Sequence, residues 1–212
     1  KKATEIVKMN VAKARHLQPI ETDAVDVTPA AMVIGGGIAG MTSALALGDQ
    51  GFDVHLVEKN SHLGGLAQNV YRTLDGSDVQ AFVQEKVAAV EAHPRIDVHL
   101  DTEVASTGGF VGSFKTTLVD GAQFDHGAIV VATGGVEYEP EEYGYKDSEK
   151  IITQRELEKQ LAKGLSPGQQ HFLMIQCVGS REEPLNYCSR ICCQDAIKNA
   201  IAIKEKSRAA QV

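Results

Sequence analysis

No apolar run in this sequence approaches the length needed to cross a bilayer, and no leader-peptide pattern is present. The first absence excludes a spanning helix, and the two together point to the cytoplasm. Basic residues are the minority: 21 Lys and Arg against 28 Asp and Glu give a net charge of −7, which argues against a nucleic-acid surface. Internal repeats and low-complexity tracts are missing. Cysteine is absent until position 177, and the four present are Cys177, Cys188, Cys192 and Cys193. Clustering at one end suggests one site rather than a disulfide framework spread over a small fold. The remainder, 43% hydrophobic and 23% charged over 212 residues, is the composition of a soluble globular protein of one to one and a half domains.

The most informative stretch runs from Ala31 to Gly65. Met32 to Ile34 reads as a strand buried on both faces. Gly35, Gly37 and Gly40 follow as G-x-G-x-x-G. The first glycine permits a sharp turn, the second leaves the backbone open to a pyrophosphate, and the third lets helix and strand pack closely. Met41 to Leu47 is the expected helix, whose N-terminus faces the phosphates. Gly51 closes it before a second strand, Val54 to Val57. Glu58 stands at the end of that strand, eighteen residues past Gly40. A carboxylate there suits the two hydroxyls of an adenosine ribose and repels a 2′-phosphate.

Glu58-Lys59-Asn60-Ser61-His62-Leu63-Gly64-Gly65 resembles the E-K-x-x-x-x-G-G segment of FAD-binding flavoproteins with two dinucleotide domains. The resemblance implies that Glu58, Lys59, Gly64 and Gly65 belong to the cofactor site. The second glycine pair would bring another backbone loop to the FAD pyrophosphate.

Around this centre the chain reads as an ordered α/β protein. Lys1 to Leu17 is an amphipathic helix, ended by Pro19 and packed on the domain or on a partner; Ile20 to Pro29 is an extended linker. Leu66 to Asp75 is a polar loop. Gly76-Ser77-Asp78 caps a helix from Val79 to Ala92, and Ile96 to Leu100 is a third parallel strand. Residues 103–124 alternate loosely as a β-meander, with Asp120-Gly121 as a hairpin turn. The meander resembles the crossover of the same flavoproteins, which would put the backbone of Val104 beside the adenine. Ala128 to Ala132 returns to the parallel sheet, and Ala132-Thr133-Gly134 matches those proteins' second FAD-side marker. Val136 to Lys150 is an acidic linker. A helix from Gln154 to Lys163 is capped by Thr153, Ser166-Pro167-Gly168 is a second linker, and His171 to Val178 is a strand opening a second unit.

Cys177 then lies at a strand tip. Cys188 and Cys192, four apart, share one face of a helix turn, and Cys193 adds a neighbouring thiol. A helix N-terminus there favours thiolate. Spacing alone leaves an iron–sulfur cluster, zinc and a redox disulfide open, since it matches neither ferredoxin nor paired C-x-x-C zinc sites.

MIQCVGSREE followed by NYCSRICCQDAIKNAIAIKE closely resembles the heterodisulfide reductase A-subunit family of flavin iron–sulfur proteins. KMNVAKARHLQPIE and IITQRELE at 151–158 fit the same family. The resemblance implies that Cys177, Cys188, Cys192 and Cys193 ligate a four-iron four-sulfur cluster near the flavin. It also implies that Lys198 and Glu156 approach the flavin ring as catalytic residues. Partners would be other redox subunits, B- and C-like ones and a hydrogenase- or dehydrogenase-like donor among them, and a homodimer is allowed. The extra ferredoxin-type cysteine sets often found in that family are absent, and the chain stops early in the second unit, so a fragment or a piece of a split protein is expected. NAD(P)H binding is left open, because no second G-x-G-x-x-G is present.

The expectation is therefore an α/β, Rossmann-like FAD-binding parallel sheet with a β-meander crossover, plus the start of a second α/β unit. Its divisions are 1–29 (helix and linker), 30–150 (FAD domain) and 151–212 (linker helix and cysteine cluster). Two rivals remain: an NAD(P)H-dependent disulfide oxidoreductase using a cysteine dithiol, and a scaffold subunit holding structural zinc.

Overall fold

The computed structural model describes residues 1–18, 24–164 and 171–212. Its centre is a parallel sheet of β1 (Ala30–Ile34), β2 (Asp53–Val57), β3 (Ile96–His99) and β7 (Ala128–Val131), in the order β3-β2-β1-β7. Helices α2 (Ile38–Asp49) and α3 (Val79–Ala92) make the two crossovers from β1 to β2 and from β2 to β3. The chain leaves β1 toward β2 on one side, and β7 pairs on the other. This makes the carboxyl end of β1 the topological switch point, where open α/β sheets bind ligands.

Alternation along the strands sorts two cores. Val33, Val54 and Leu56 point to the helical face and pack with Met41, Ala44, Leu63 and Val90. Met32 and Val57 point the other way, against Leu118, Val104 and Phe124 of the crossover. Both faces of β1 are thereby dry, as its unbroken apolar run predicts. Full burial of side chains such as Met32 and Leu56 stabilises by about 1.5–3 kcal/mol each.

The crossover is the expected meander: β4 (Val104–Phe110), β5 (Ser113–Leu118) and β6 (Gln123–His126), all antiparallel. Asp120-Gly121 turns it, with Gly121 at φ 92° and the Asp120 carboxylate accepting from Ala122 N at 2.9 Å. A polar chain crosses all three strands: Thr107 Oγ1 lies 2.9 Å from Thr116 Oγ1, which lies 2.8 Å from His126 Nε2. His126 Nδ1 then donates to Ala128 O at 3.1 Å, which leaves Nε2 as the acceptor for Thr116. Burial holds the His126 imidazole below its ordinary pKa.

Asp78 caps α3 by accepting from Ala81 N, as expected, and the loop before it contains a short 3-10 turn over Gly65–Asn69. One expectation is narrowed and one is corrected. Helix α1 (Lys2–Arg15) forms, but it buries none of its residues against the described chain; Ile6 and Met9 stay 50% and 71% exposed. Pro19, most of the first linker's start and Ser166-Pro167-Gly168 lie outside the described residues. The strand expected over His171 to Val178 does not form: the segment carries a single bridge, His171 to Gln211, and Val178 lies in a turn. Its alternation is real: Phe172 and Met174 pack on α4 (Gln154–Ala162) and α5 (Cys192–Lys206), while Leu173 is 88% exposed. No neighbouring strand among the described residues pairs with it, and a strand needs a ladder.

Candidate functional site: a glycine crevice and a thiol cluster

The glycine turn sits at the switch point. Gly35 has φ 107°, and a Cβ on it would overlap the carbonyl of Ala132, so the first glycine and the Ala132-Thr133-Gly134 marker are in contact. A Cβ on Gly40 would overlap Gly35 O. Gly37 is different: a Cβ there would meet nothing within 4 Å, and the same holds for Gly134 and Gly135. Gly37 is also the N-cap of α2 and supplies no side-chain cap, so the first N–H groups of the helix are available to an anion. The second glycine pair closes the crevice from the other side. Gly64 N donates to Gly36 O at 2.8 Å, and a Cβ on Gly65 would lie 3.0 Å from Gly37 Cα.

Glu58 is buried at the end of β2, where its Oε2 accepts from Gly36 N at 2.7 Å. Its Oε1 accepts from Asn60 N and Asn60 Nδ2 at 2.9 and 2.7 Å. The acid therefore braces the glycine loop from the end of β2. Gly36 and Asn60 were not among the expected site residues; the run of three glycines was the available signal. Lys59 is exposed and Val104 half-buried. Open backbone at Gly37, an uncapped helix end and an inward acid together fit a dinucleotide.

The four cysteines are free thiols. Cys192 and Cys193 begin α5, but Cys188 does not share the helix, which corrects the expected turn. Arg190 lies between them at φ 61°, a left-handed conformation that cannot continue a right-handed helix. Cys177, at φ 63°, immediately precedes a turn at Val178-Gly179 rather than ending a strand. Desolvation first, then the neighbouring Cys192, Cys177 and Cys188, push the Cys193 thiol up, so all four thiols share one neighbourhood. This is opposite to the thiolate preference expected from the helix end.

Arg190 N donates to Cys188 Sγ at 3.4 Å, and Ser189 Oγ to Cys192 Sγ at 3.7 Å. No three of the sulfurs converge within 4.8 Å of one another among the described residues. A single zinc with ligands at about 2.3 Å would require sulfurs roughly 3.8 Å apart. An all-cysteine donor set of four, with donors aimed at two of the sulfurs, fits a cluster.

The two charged residues expected near the flavin part company. Glu156 is exposed and forms a capping box: Thr153 N donates to Glu156 Oε2 at 2.7 Å, and Glu156 N to Thr153 Oγ1 at 3.2 Å. Lys198 is buried, with Nζ 2.7 Å from both Glu158 Oε2 and Asp195 Oδ1. Glu158, overlooked in the sequence, also accepts from Tyr71 N at 2.8 Å. One buried carboxylate thus ties the cysteine helix to the loop that follows the second glycine pair. Arg72 and Glu205 add an exposed pair at 2.6 Å beside it.

Residues 33–86 match the NAD(P)-binding Rossmann-like domain family. The whole chain aligns at 29% identity with 47% of an iron-sulfur A-subunit (form 2) of CoB--CoM heterodisulfide reductase from Methanopyrus kandleri. That alignment spans 307 positions against 212 residues here, so it passes over stretches of the relative without counterpart in this chain. The A-subunit of H(2):CoB-CoM heterodisulfide,ferredoxin reductase from Methanothermobacter thermautotrophicus aligns at 29% over 97% of this chain and 46% of its own length. Among solved structures, L-proline dehydrogenase from P. horikoshii superposes with a TM-score of 0.50 at 21% identity, over 74% of this chain and 33% of that one. The chain is similar to heterodisulfide reductase A-subunits along its whole length, and it spans about half the length of those relatives. No helix among the described residues is long and apolar enough to cross a membrane.

Proposed function

We propose that this chain is the FAD- and cluster-bearing part of an oxidoreductase of the heterodisulfide reductase A-subunit type. The observation that carries the reading is the group of four thiols gathered around Cys193 at the N-terminus of α5, a helix latched to the dinucleotide unit through Lys198 and Glu158. The glycine loop and α2 would hold the FAD pyrophosphate, Glu58 the ribose, and the Ala132–Gly134 turn the far side of the crevice. Cys177, Cys188, Cys192 and Cys193 would hold a four-iron four-sulfur cluster. When bound, FAD supplies the exchange between paired and single electrons that a cluster requires.

The chain's own residues set where the two cofactors sit. Hydrogen bonds from Arg190 N and Ser189 Oγ to sulfur would tune the cluster. Lys198 serves first as a positioning residue; Glu158 and Asp195 hold two of its three N–H donors, and the third would be the one to act at the flavin ring. Glu156 would approach the ring only at the expense of its capping box. In the relatives' setting the partners are the other members of a redox complex.

The test is anaerobic reconstitution followed by iron, sulfide, zinc and flavin assays on wild type and Cys192→Ala. We expect flavin plus about four irons per chain, with iron lost and flavin kept in the variant. Titratable dithiol without iron supports the disulfide oxidoreductase, and zinc without flavin the scaffold; either overturns the proposal.

A further inference from the structure

We propose that His55, Asp97 and His99 form a binding site for a divalent transition-metal ion, separate from the cysteine cluster. The strand register creates it. His55 of β2 pairs with Asp97 of β3, and His99 stands two residues further on, so all three side chains emerge on one face of the sheet. One ring nitrogen of each histidine and an Asp97 carboxylate oxygen all lie within 4.8 Å of one another. Asp97 Oδ2 is 3.2 Å from His99 Nε2 and 3.8 Å from His55 Nδ1.

Both of those imidazole nitrogens are shielded from solvent, and neither makes a hydrogen bond among the described residues. Buried nitrogens are normally satisfied, so two orphans aimed at one carboxylate call for an explanation. A cation between them supplies it. Metal–ligand distances of about 2.0–2.2 Å place tetrahedral ligand atoms roughly 3.3–3.6 Å apart. Both carboxylate–imidazole separations lie within a few tenths of an ångström of that.

The surroundings suit a half-open site. Phe124 of β6 roofs the histidines, its ring 4.3 Å from His55 and 4.6 Å from His99 between centroids, which holds both rings in place. The Asp97 side chain is 65% exposed, so metal and water ligands have an approach. Two imidazoles and one carboxylate select zinc, cobalt, nickel or copper over magnesium and calcium. Bound metal would staple β2 to β3 directly behind Glu58, whose N–H donates to His99 O at 2.9 Å.

Cobalt(II) titration of the full chain, with its thiols first blocked by alkylation, tests the site without interference from the cysteines. We expect one cobalt per chain with a visible band of nitrogen and oxygen ligation, and binding at least tenfold weaker in both Asp97→Asn and His99→Gln. Asp97 is exposed, so Asp97→Asn keeps the fold, checked by an unchanged thermal melt without metal, and carries the test should His99→Gln fail to fold. No cobalt on the alkylated wild type, or equal affinity in Asp97→Asn, overturns the proposal and leaves the trio as packing under Phe124.

Discussion

Lys198→Met probes the link between the cysteine helix and the dinucleotide unit. The Lys198 and Glu158 side chains are 8% and 4% exposed. Removing the ammonium leaves Glu158 with a buried charge whose Oε2 has lost its partner, while Oε1 still accepts from Tyr71 N. Breaking one side of a buried pair costs about 3–5 kcal/mol, a large share of the roughly 5–15 kcal/mol that stabilises a domain. The double variant Glu158→Gln/Lys198→Met removes both charges and keeps a carbonyl for Tyr71 N. It should therefore recover part of the loss, remaining about 1–3 kcal/mol below wild type. Urea unfolding of wild type, both single variants and the double variant closes the cycle. A cost under about 1 kcal/mol for Lys198→Met, or strictly additive single effects, refutes the buried latch.

Gly37→Ala should fold as wild type, because its Cβ meets nothing, yet lose flavin, read from visible absorbance after reconstitution and gel filtration. Gly35→Ala should instead lower the melting temperature, since φ 107° and the Ala132 carbonyl both oppose a side chain. Thr153→Ala removes one half of the capping box and should cost about 1 kcal/mol in thermal or urea unfolding, with Thr153→Ser retaining most of it. His126 is held below its ordinary value of 6.5 in the folded state, so its neutral form stabilises the fold above about pH 6.5, and that contribution is lost as pH falls below it. His126→Gln should flatten this part of a stability-against-pH curve; an unchanged slope would remove His126 as its source.

What the sequence by itself determined is what depends on neighbours along the chain. The strand, glycine turn, helix and acid of residues 30–58 were legible because each demand is local: an apolar run, a backbone at φ 107°, a helix end without a cap. The Asp78 and Thr153 caps and the Asp120-Gly121 turn were legible for the same reason. Tertiary structure decided the rest. Glu158 rather than Glu156 is the buried acid, because the face of α4 that turns inward is set by packing against α5, and only there does Lys198 arrive. Cys188 leaves the helix because Arg190 turns left-handed, which its residue type does not announce. Residues 171–178 alternate like a strand, but a ladder depends on chain that lies elsewhere in space. His55 and His99 are 44 positions apart, and only the parallel register of β2 and β3 sets them around Asp97.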